Sequence, residues 1–358
     1  MKHSTAHILS LLCLATAGSG AIHAVAAPAV RHNAYGQPDL DGTWTNTTVT
    51  PFARATSLGT RSVYTDAEVK QIETQQAEGL ARGNLPTDPQ EGAPENNGIV
   101  GGYNVGWTDP GTHVMRINGQ ARSSFLTTPD GQVPLNRDGK QVAPRSDRIS
   151  GAGWWVDSEG HFQSESMLNP RRKPVDNPED MSLGEQCVVA FGRNLPPPML
   201  PNDIYNNNYR IVQSKDSVAI TSEMVHDTRV IRIGKRDHIP QNIRPWFGDS
   251  VGWYDGEALV VETTNYPKVQ AFYGAWQDLK VTERFQRTTD GRINYKFSVE
   301  APSVWDKPWG GEYDFAPASG RIVEYACHEG NYAFRGIIGG DRLAEQAAQK
   351  VSENTTAK

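Results

Sequence analysis

The residues with the clearest chemical potential form two short clusters, each built around a histidine. In the first cluster, residues 223–229 (EMVHDTR), an imidazole, a carboxylate and a guanidinium lie close together along the chain. If this segment is a strand, its side chains alternate, so His226 lies with Met224 and Val230 on the buried face. A buried histidine beside a carboxylate is a general acid or base whose pKa the surroundings tune. An ordinary core histidine, held by one backbone hydrogen bond, is the equally weighted alternative.

The second cluster is residues 324–329 (EYACHE). On a strand, His328 shares a face with Glu324 and Ala326. A disulfide at the neighbouring Cys327 would hold His328 rigidly, as a catalytic group requires. The alternative is a histidine that only completes a polar network beside the bridge.

Together the two clusters predict proton-transfer chemistry in one cavity. His226 and His328 are the expected acid and base. Asp227 and Glu329 would orient them or couple to their charge, and Arg229 would stabilise developing negative charge.

Aromatic and amide side chains provide candidate ligand contacts. Flat ligands stack on tryptophan rings, although tryptophan is also common in cores. Amide and phenol groups orient polar ligands, although asparagine runs often serve backbone turns. The predicted ligand-binding residues are Trp246, Asp249, Trp253, Asn207 and Tyr209, with Trp305 and Trp309 in the same aromatic set.

Several well-known catalytic motifs do not occur in the sequence. There is no Gly-x-Ser-x-Gly, no Walker loop, no dinucleotide fingerprint and no His-Glu-x-x-His. We therefore expect no cofactor and no metal. Glu262, Glu283 and Arg284 interrupt otherwise apolar strands and predict an internal Glu–Arg network.

Strand and turn patterns dominate the elements that must position these groups. Asp255-Gly256 and Asp290-Gly291 predict tight hairpins between alternating strands. In the second hairpin, four apolar residues from Ile293 to Val299 share one face, as in a half-buried antiparallel strand. Further strands are predicted at 209–213, 217–225, 228–233 and 321–327.

Two helices are predicted. Thr65 followed three residues later by Glu68 forms a capping box, and Gly83-Asn84 ends that helix. A second helix is predicted at 341–350.

The strands and helices together predict a mainly β fold class, an antiparallel barrel or sandwich with long N-terminal loops and one or two short helices. The predicted regions are a signal peptide (1–26), a loop-rich β region (27–200), a strand-rich β region (201–340) and a C-terminal helix and tail (341–358).

Composition and targeting signals limit the functional class. The chain has 358 residues and a formal net charge of −6, without the basic stripe of a nucleic-acid binder. Lys2, the apolar residues 8–15 and Ala24-Val25-Ala26 form a signal-peptide pattern, so we expect a periplasmic or secreted protein. The apolar run is too short for a membrane span, which needs about 20 residues.

Removal of the signal leaves Cys187 and Cys327. In an oxidising compartment they predict a disulfide, with two separate buried thiols as the alternative.

Six motifs together resemble a widespread family of exported bacterial proteins without an established biochemical role. The match runs from about residue 38 to 340, and the motifs are PDLDGTW (38–44), YNNNY (205–209), EMVHD (223–227), WFGDS (246–250), LVVETTN (259–265) and YACHEGNY (325–332). Gly42-Thr43-Trp44 also resembles the Gly-x-Trp of lipocalin-like barrels, which implies antiparallel hairpins around a small-ligand cavity.

The sequence predicts an exported small-molecule enzyme with cofactor-free acid–base chemistry, of lyase, hydratase or isomerase type. Its expected ligand is partly apolar or glycosidic. One alternative is a non-catalytic periplasmic ligand-binding protein. Another is a carbohydrate-active enzyme with paired carboxylates from Asp227, Glu262 and Glu324.

Overall fold

Alternating apolar side chains face one another across a closed barrel of nine strands. The computed structural model describes residues 30–83, 85, 90, 110–140, 154–156, 162–164, 177–181, 184, 186–189, 195–201 and 206–356. The predicted signal peptide and Tyr205 lie outside these residues.

The barrel strands follow one another mostly in chain order. They are β1 (Gly42–Thr45), β6 (Asn208–Gln213), β7 (Ser217–Ser222), β8 (Thr228–Ile233), β9 (Asp249–Asp255), β10 (Ala258–Thr264), β11 (Lys280–Arg287), β12 (Ile293–Glu300) and β13 (Trp309–Pro317). Around the barrel the order is β1-β13-β12-β11-β10-β9-β8-β7-β6, and β6 pairs with β1 to close it. Four shorter strands form two separate hairpins: β2 (Arg116–Ile117) with β3 (Gln120–Ala121), and β4 (Trp154–Val156) with β5 (Phe162–Ser164).

The predicted hairpins are confirmed. Gly256 and Gly291 lie in the turns at φ values of 57° and 87°, a conformation that glycine adopts without steric cost. The alternation predicted for β12 is also confirmed, because Ile293, Tyr295, Phe297 and Val299 are all buried.

One strand pair departs from the antiparallel expectation. β8 and β9 run parallel, with Arg232 opposite Val251. A parallel pair needs a crossover that returns the chain to the same end of the sheet, and residues 234–248 make that crossover. The barrel therefore has nine strands of mixed orientation.

The strand directions place most long connections at one end of the barrel. We call this the upper end, where β7 stops at Ser222 and β13 starts at Trp309. The β7–β8 turn, the β10–β11 connection (265–279) and the β12–β13 connection (301–308) lie there. The chain also leaves the barrel there after β1 and returns there at β6. The opposite end carries the tight hairpins, so the upper end has the residues available to build a site.

The helices lie outside the barrel. α1 (Asp66–Gly83) begins at the predicted capping box. Its cap is reciprocal, because Glu68 N donates to Thr65 Oγ1 at 3.3 Å and Thr65 N donates to Glu68 Oε2 at 2.7 Å. The short α2 (Cys327–Gly330) is followed by α3 (Ala333–Thr356), which starts before the predicted helix 341–350 and extends beyond it. None of the described helices is both long and apolar enough to cross a bilayer.

Three predictions of secondary structure are corrected. The strand predicted at 217–225 stops at Ser222, because Met224–His226 form a 3-10 turn. The strand predicted at 321–327 is irregular and leads into α2. β13 was not predicted, because Gly310 and Gly311 interrupt its apolar alternation. Both glycines are required there, since a Cβ at Gly310 would overlap the Phe297 carbonyl oxygen and a Cβ at Gly311 would lie 2.6 Å from Phe297 Cζ.

Candidate active site

The turn between β7 and β8 combines strained backbone with ionisable side chains. Val225 and His226 have φ values of 60° and 46°. Positive φ is a true outlier for a β-branched residue such as valine. Strain of this kind concentrates at functional sites, where the surrounding structure must hold it.

Asp227 lies at the end of this turn, on the barrel rim. Its backbone is extended, and it shares its side of the strand with Arg229 and Ile231, which face the interior. The Ser222 N–H donates to the Asp227 carbonyl oxygen at 2.9 Å, so these residues close the turn opposite one another. Burial raises the pKa of Asp227 to about 6, and the adjacent His226 acts in the opposite direction. Near neutral pH this carboxyl group can therefore both accept and donate a proton.

Glu223 fastens the turn to two other segments. Its carboxylate is buried and accepts hydrogen bonds from Asn208 Nδ2 at 2.6 Å and from the Val323 N–H at 3.2 Å. The Glu223 N–H in turn donates to the Asn208 carbonyl oxygen. Sequence reasoning gave this glutamate no role of its own.

The second predicted cluster packs against this same turn. Tyr325 contacts the buried pair Met224 and Val225. The predicted disulfide between Cys187 and Cys327 is confirmed, with the two Cα atoms 5.7 Å apart. The structure thus brings the two histidine-containing motifs to the upper end of the barrel.

The histidines themselves are placed differently from the prediction. His226 is exposed, because the turn removes it from the strand alternation that placed it inside. His328 and Glu329 are exposed on α2, which replaces the predicted strand. The expectation that both imidazoles occupy a buried hollow is therefore wrong. Asp227 at the rim is the titratable residue of the set that is partly buried.

Arg229 lies inside the barrel rather than beside the histidines. Its guanidinium forms a two-pronged ion pair with Glu283, at 2.7 and 3.1 Å, and both side chains are almost fully buried. Tyr295 Oη donates to Glu283 Oε1 at 2.8 Å. The predicted internal Glu–Arg network exists, but its arginine is Arg229. Arg284 faces outward and pairs with Asp255.

A segment from the N-terminal region covers this network. Met199 is fully buried, and its N–H donates to Tyr295 Oη at 3.0 Å. Tyr313 Oη donates to the Met199 carbonyl oxygen at 2.9 Å. Leu195 and Leu200 are buried beside it. This segment of the chain thus occupies part of the barrel interior, beside the Arg229–Glu283 pair.

The predicted ligand-binding residues have several different environments. Asn207 and Tyr209 are fully buried, and Asn46 Nδ2 donates to Tyr209 Oη at 3.4 Å. Trp246 is 40% exposed, and Trp253 is covered by the guanidinium of Arg236 at 4.2 Å. These four residues, with Asp249, do not form one cluster in the way the aromatic set predicted.

Asp249 instead anchors the crossover to the outer wall. Arg232 Nη2 donates to both of its carboxylate oxygens at 2.8 Å, and His238 Nδ1 lies 2.8 Å from Oδ2. Burial acts to raise the pKa of Asp249, but the bonds from His238, Ile239 N–H and Arg232 outweigh it and lower this pKa.

His238 also reaches a second carboxylate on the outer wall. Its Nε2 lies 3.2 Å from Glu262 Oε1, and Lys280 lies 3.9 Å from Glu262 Oε2. Glu262 is thus held by His238 and Lys280 outside the barrel. This placement does not favour Glu262 as one of the paired carboxylates that the carbohydrate-active alternative draws from Asp227, Glu262 and Glu324.

The sequence pattern indicated that Glu283 faces the interior, but it gave no indication of the role of His238. Glu283 lies in phase with Val281 and Phe285, so the alternation already placed it inside. His238 has no periodic context, because it lies in an irregular crossover.

Comparison with models of protein families and with curated proteins finds no match for this sequence. The resemblance based on the six motifs therefore stays a prediction.

Proposed function

We propose that the protein is an exported enzyme that transfers protons to and from a small molecule at the upper end of its barrel. Asp227 is the acid–base group, and His226 is its exchange partner with solvent. The single observation that carries the proposal is a rim carboxyl group, partly desolvated and next to a histidine, on a turn with strained backbone. Each of these features is typical of a functional site.

The remaining residues of the predicted set support Asp227 from a distance. Glu223 and the disulfide position the 321–331 segment, which presents His328 and Glu329 at the same barrel end. Arg229 is neutralised by Glu283, so we assign it to holding the interior rather than to stabilising charge on the substrate. A single carboxyl group that both accepts and donates a proton suits elimination, hydration or isomerisation, so we propose one of these reaction types.

Export rests on the signal-peptide pattern and on the disulfide, since disulfides persist in oxidising compartments. A non-catalytic ligand-binding protein is the second candidate. It is favoured by the exposure of His226 and His328, because neither imidazole lies in the buried hollow that the acid–base prediction required.

A proton-transfer function can be tested before the substrate is identified. Purified protein is incubated in D₂O with a panel of neutral carbonyl and β-hydroxycarbonyl compounds, and mass spectrometry follows deuterium uptake and loss or gain of water. We expect turnover of at least one compound, reduced about 10²- to 10⁴-fold by Asp227→Asn. Asp255→Asn, an exposed carboxylate at the opposite end, is the matched control. Saturable binding without any exchange or product would favour the binding protein instead.

A further inference from the structure

A second feature of the upper end is a cluster of four aromatic side chains. We define the aromatic cluster as Phe272, Tyr273, Trp305 and Trp309, all buried. The Trp309 ring lies 5.7 Å from Phe272 in a stacked arrangement, and 6.1 Å from Tyr273 and 5.2 Å from Trp305 in edge-on arrangements. Phe272 and Tyr273 come from the β10–β11 connection, and the tryptophans lie at and before the start of β13.

Two hydrogen-bond donors in this aromatic cluster have no partner among the described residues. They are Tyr273 Oη and Trp309 Nε1. By contrast, Trp305 Nε1 donates to the Pro134 carbonyl oxygen at 3.2 Å. Buried donors are nearly always satisfied, because an unpaired one loses its hydration without compensation. An indole N–H can only donate, so the missing partner at Trp309 is an acceptor.

Tyr273 also occupies a position that its residue type disfavours. Phe272 and Ala275 exchange two backbone hydrogen bonds, at 2.9 and 3.0 Å, around the two-residue turn Tyr273-Gly274. Both turn residues have positive φ, 49° and 79°. Such turns prefer asparagine, aspartate or glycine at the first position. A tyrosine there stores strain while its hydroxyl has no partner in the described part of the chain, which is the combination expected of a ligand contact.

The chemistry of these side chains limits what the aromatic cluster can bind. Aromatic rings favour flat apolar molecules in stacked or edge-on contact. An ion buried among these rings would lose its hydration without a counter-charge. Burial raises the pKa of Tyr273, so its hydroxyl remains protonated and able to donate at neutral pH. The acceptor is therefore a neutral oxygen.

We propose that a flat, uncharged molecule with an acceptor oxygen, as in an aromatic ketone, binds against the aromatic cluster, where Tyr273 and Trp309 donate hydrogen bonds to that oxygen. This binding site does not depend on the acid–base role of Asp227. If that role holds, the aromatic cluster is where the apolar part of the substrate is held, because both features lie at the upper end.

Two probes that differ mainly in the acceptor oxygen test the proposal. Equilibrium dialysis measures the Kd of 1-acetylnaphthalene and of 1-ethylnaphthalene with the full protein. We expect the ketone to bind at least tenfold more tightly. Tyr273→Phe should remove most of this preference and still fold, because it deletes only a hydroxyl that bonds to none of the described residues. Trp309→Phe should reduce the preference as well.

Matched controls separate this site from the proposed activity. Tyr254→Phe removes a hydroxyl bonded to Gln213 and Gln37 at the other end of the barrel, and should leave both Kd values unchanged. Asp227→Asn should also leave them unchanged, even if it abolishes turnover. The proposal is overturned if neither probe binds saturably, if the two bind equally, or if the preference survives Tyr273→Phe.

Discussion

Glu223 and Val323, which lie 100 residues apart in the chain, are joined by a hydrogen bond of 3.2 Å from the Val323 N–H to Glu223 Oε1. The bond links the strained β7–β8 turn to the segment that carries Cys327 and His328. A buried carboxylate is costly unless it is hydrogen-bonded, so the turn and this segment stabilise each other.

Replacing Glu223 with alanine should release the 321–331 segment. The variant loses the acceptor for Val323 and for Asn208, at a cost of about 1–3 kcal/mol in the free energy of unfolding. Hydrogen exchange at the Val323 amide should accelerate at least tenfold, while amides in β12 stay protected. Glu324→Ala, an exposed neighbour, is the control. Unchanged exchange at Val323 would contradict the proposed link.

Asp227 should destabilise the fold at neutral pH, as a functional residue often does. Its folded pKa of about 6 lies above the ordinary value of 3.8, so the folded state binds the proton more tightly than the unfolded state. Stability attributable to this group therefore falls as the pH rises from about 4 to about 6.

Asp227→Asn removes this penalty. After allowance for solvent screening, we expect about 1 kcal/mol of extra stability at pH 7.5 and none at pH 3.5. Urea unfolding at the two pH values measures it. A variant that loses stability equally at both pH values would show that burial does not strain this carboxyl group.

The Arg229–Glu283 pair should behave as a coupled unit. Removing either partner leaves a buried charge alone, and costs about 3–5 kcal/mol. The double variant Arg229→Met with Glu283→Leu should recover much of that loss. A double-mutant cycle, measured by urea unfolding, gives the coupling free energy between the two side chains. Additive losses would mean that the two side chains do not act as a pair.

Patterns with a fixed period identified much of the barrel from the sequence. The Asp-Gly turns located two hairpins, and alternation in residues 293–299 identified the inward face of β12. β13 was missed because Gly310 and Gly311 carry no side chain, although close packing against Phe297 requires both. A glycine selected by a tertiary contact gives no local signal of a strand.

The site was identified less completely, for a related reason. The 223–229 motif pointed to the correct segment, but alternation was applied through Val225, whose positive φ lies in the turn that follows the end of β7 at Ser222. That single turn exposes His226 and brings Asp227 and Arg229 to the inner side. His328 was placed on a strand, although the disulfide fastens an irregular segment there. Burial of titratable groups depends on such tertiary details, which no periodicity encodes.

The disulfide should contribute substantially to stability. It connects Cys187 and Cys327 across 140 residues, and the chain-entropy model assigns about 5 kcal/mol to such a loop. Cys187→Ser with Cys327→Ser should lower the Tm and should also speed exchange at Val323. Serine at Cys13, which the predicted signal cleavage removes, is a neutral control. A Tm that does not change would show that the Cys187–Cys327 bridge constrains the unfolded chain very little.

The pH dependence of the deuterium-exchange reaction tests the central claim most directly. With the most reactive compound of the panel, the rate for the wild type should change with an inflection near pH 6, the pKa of Asp227. In Asp227→Asn that inflection should vanish together with most of the rate. A wild-type rate that is flat between pH 5 and 7, or an inflection that persists in Asp227→Asn, would contradict a proton-transfer role for this carboxyl group.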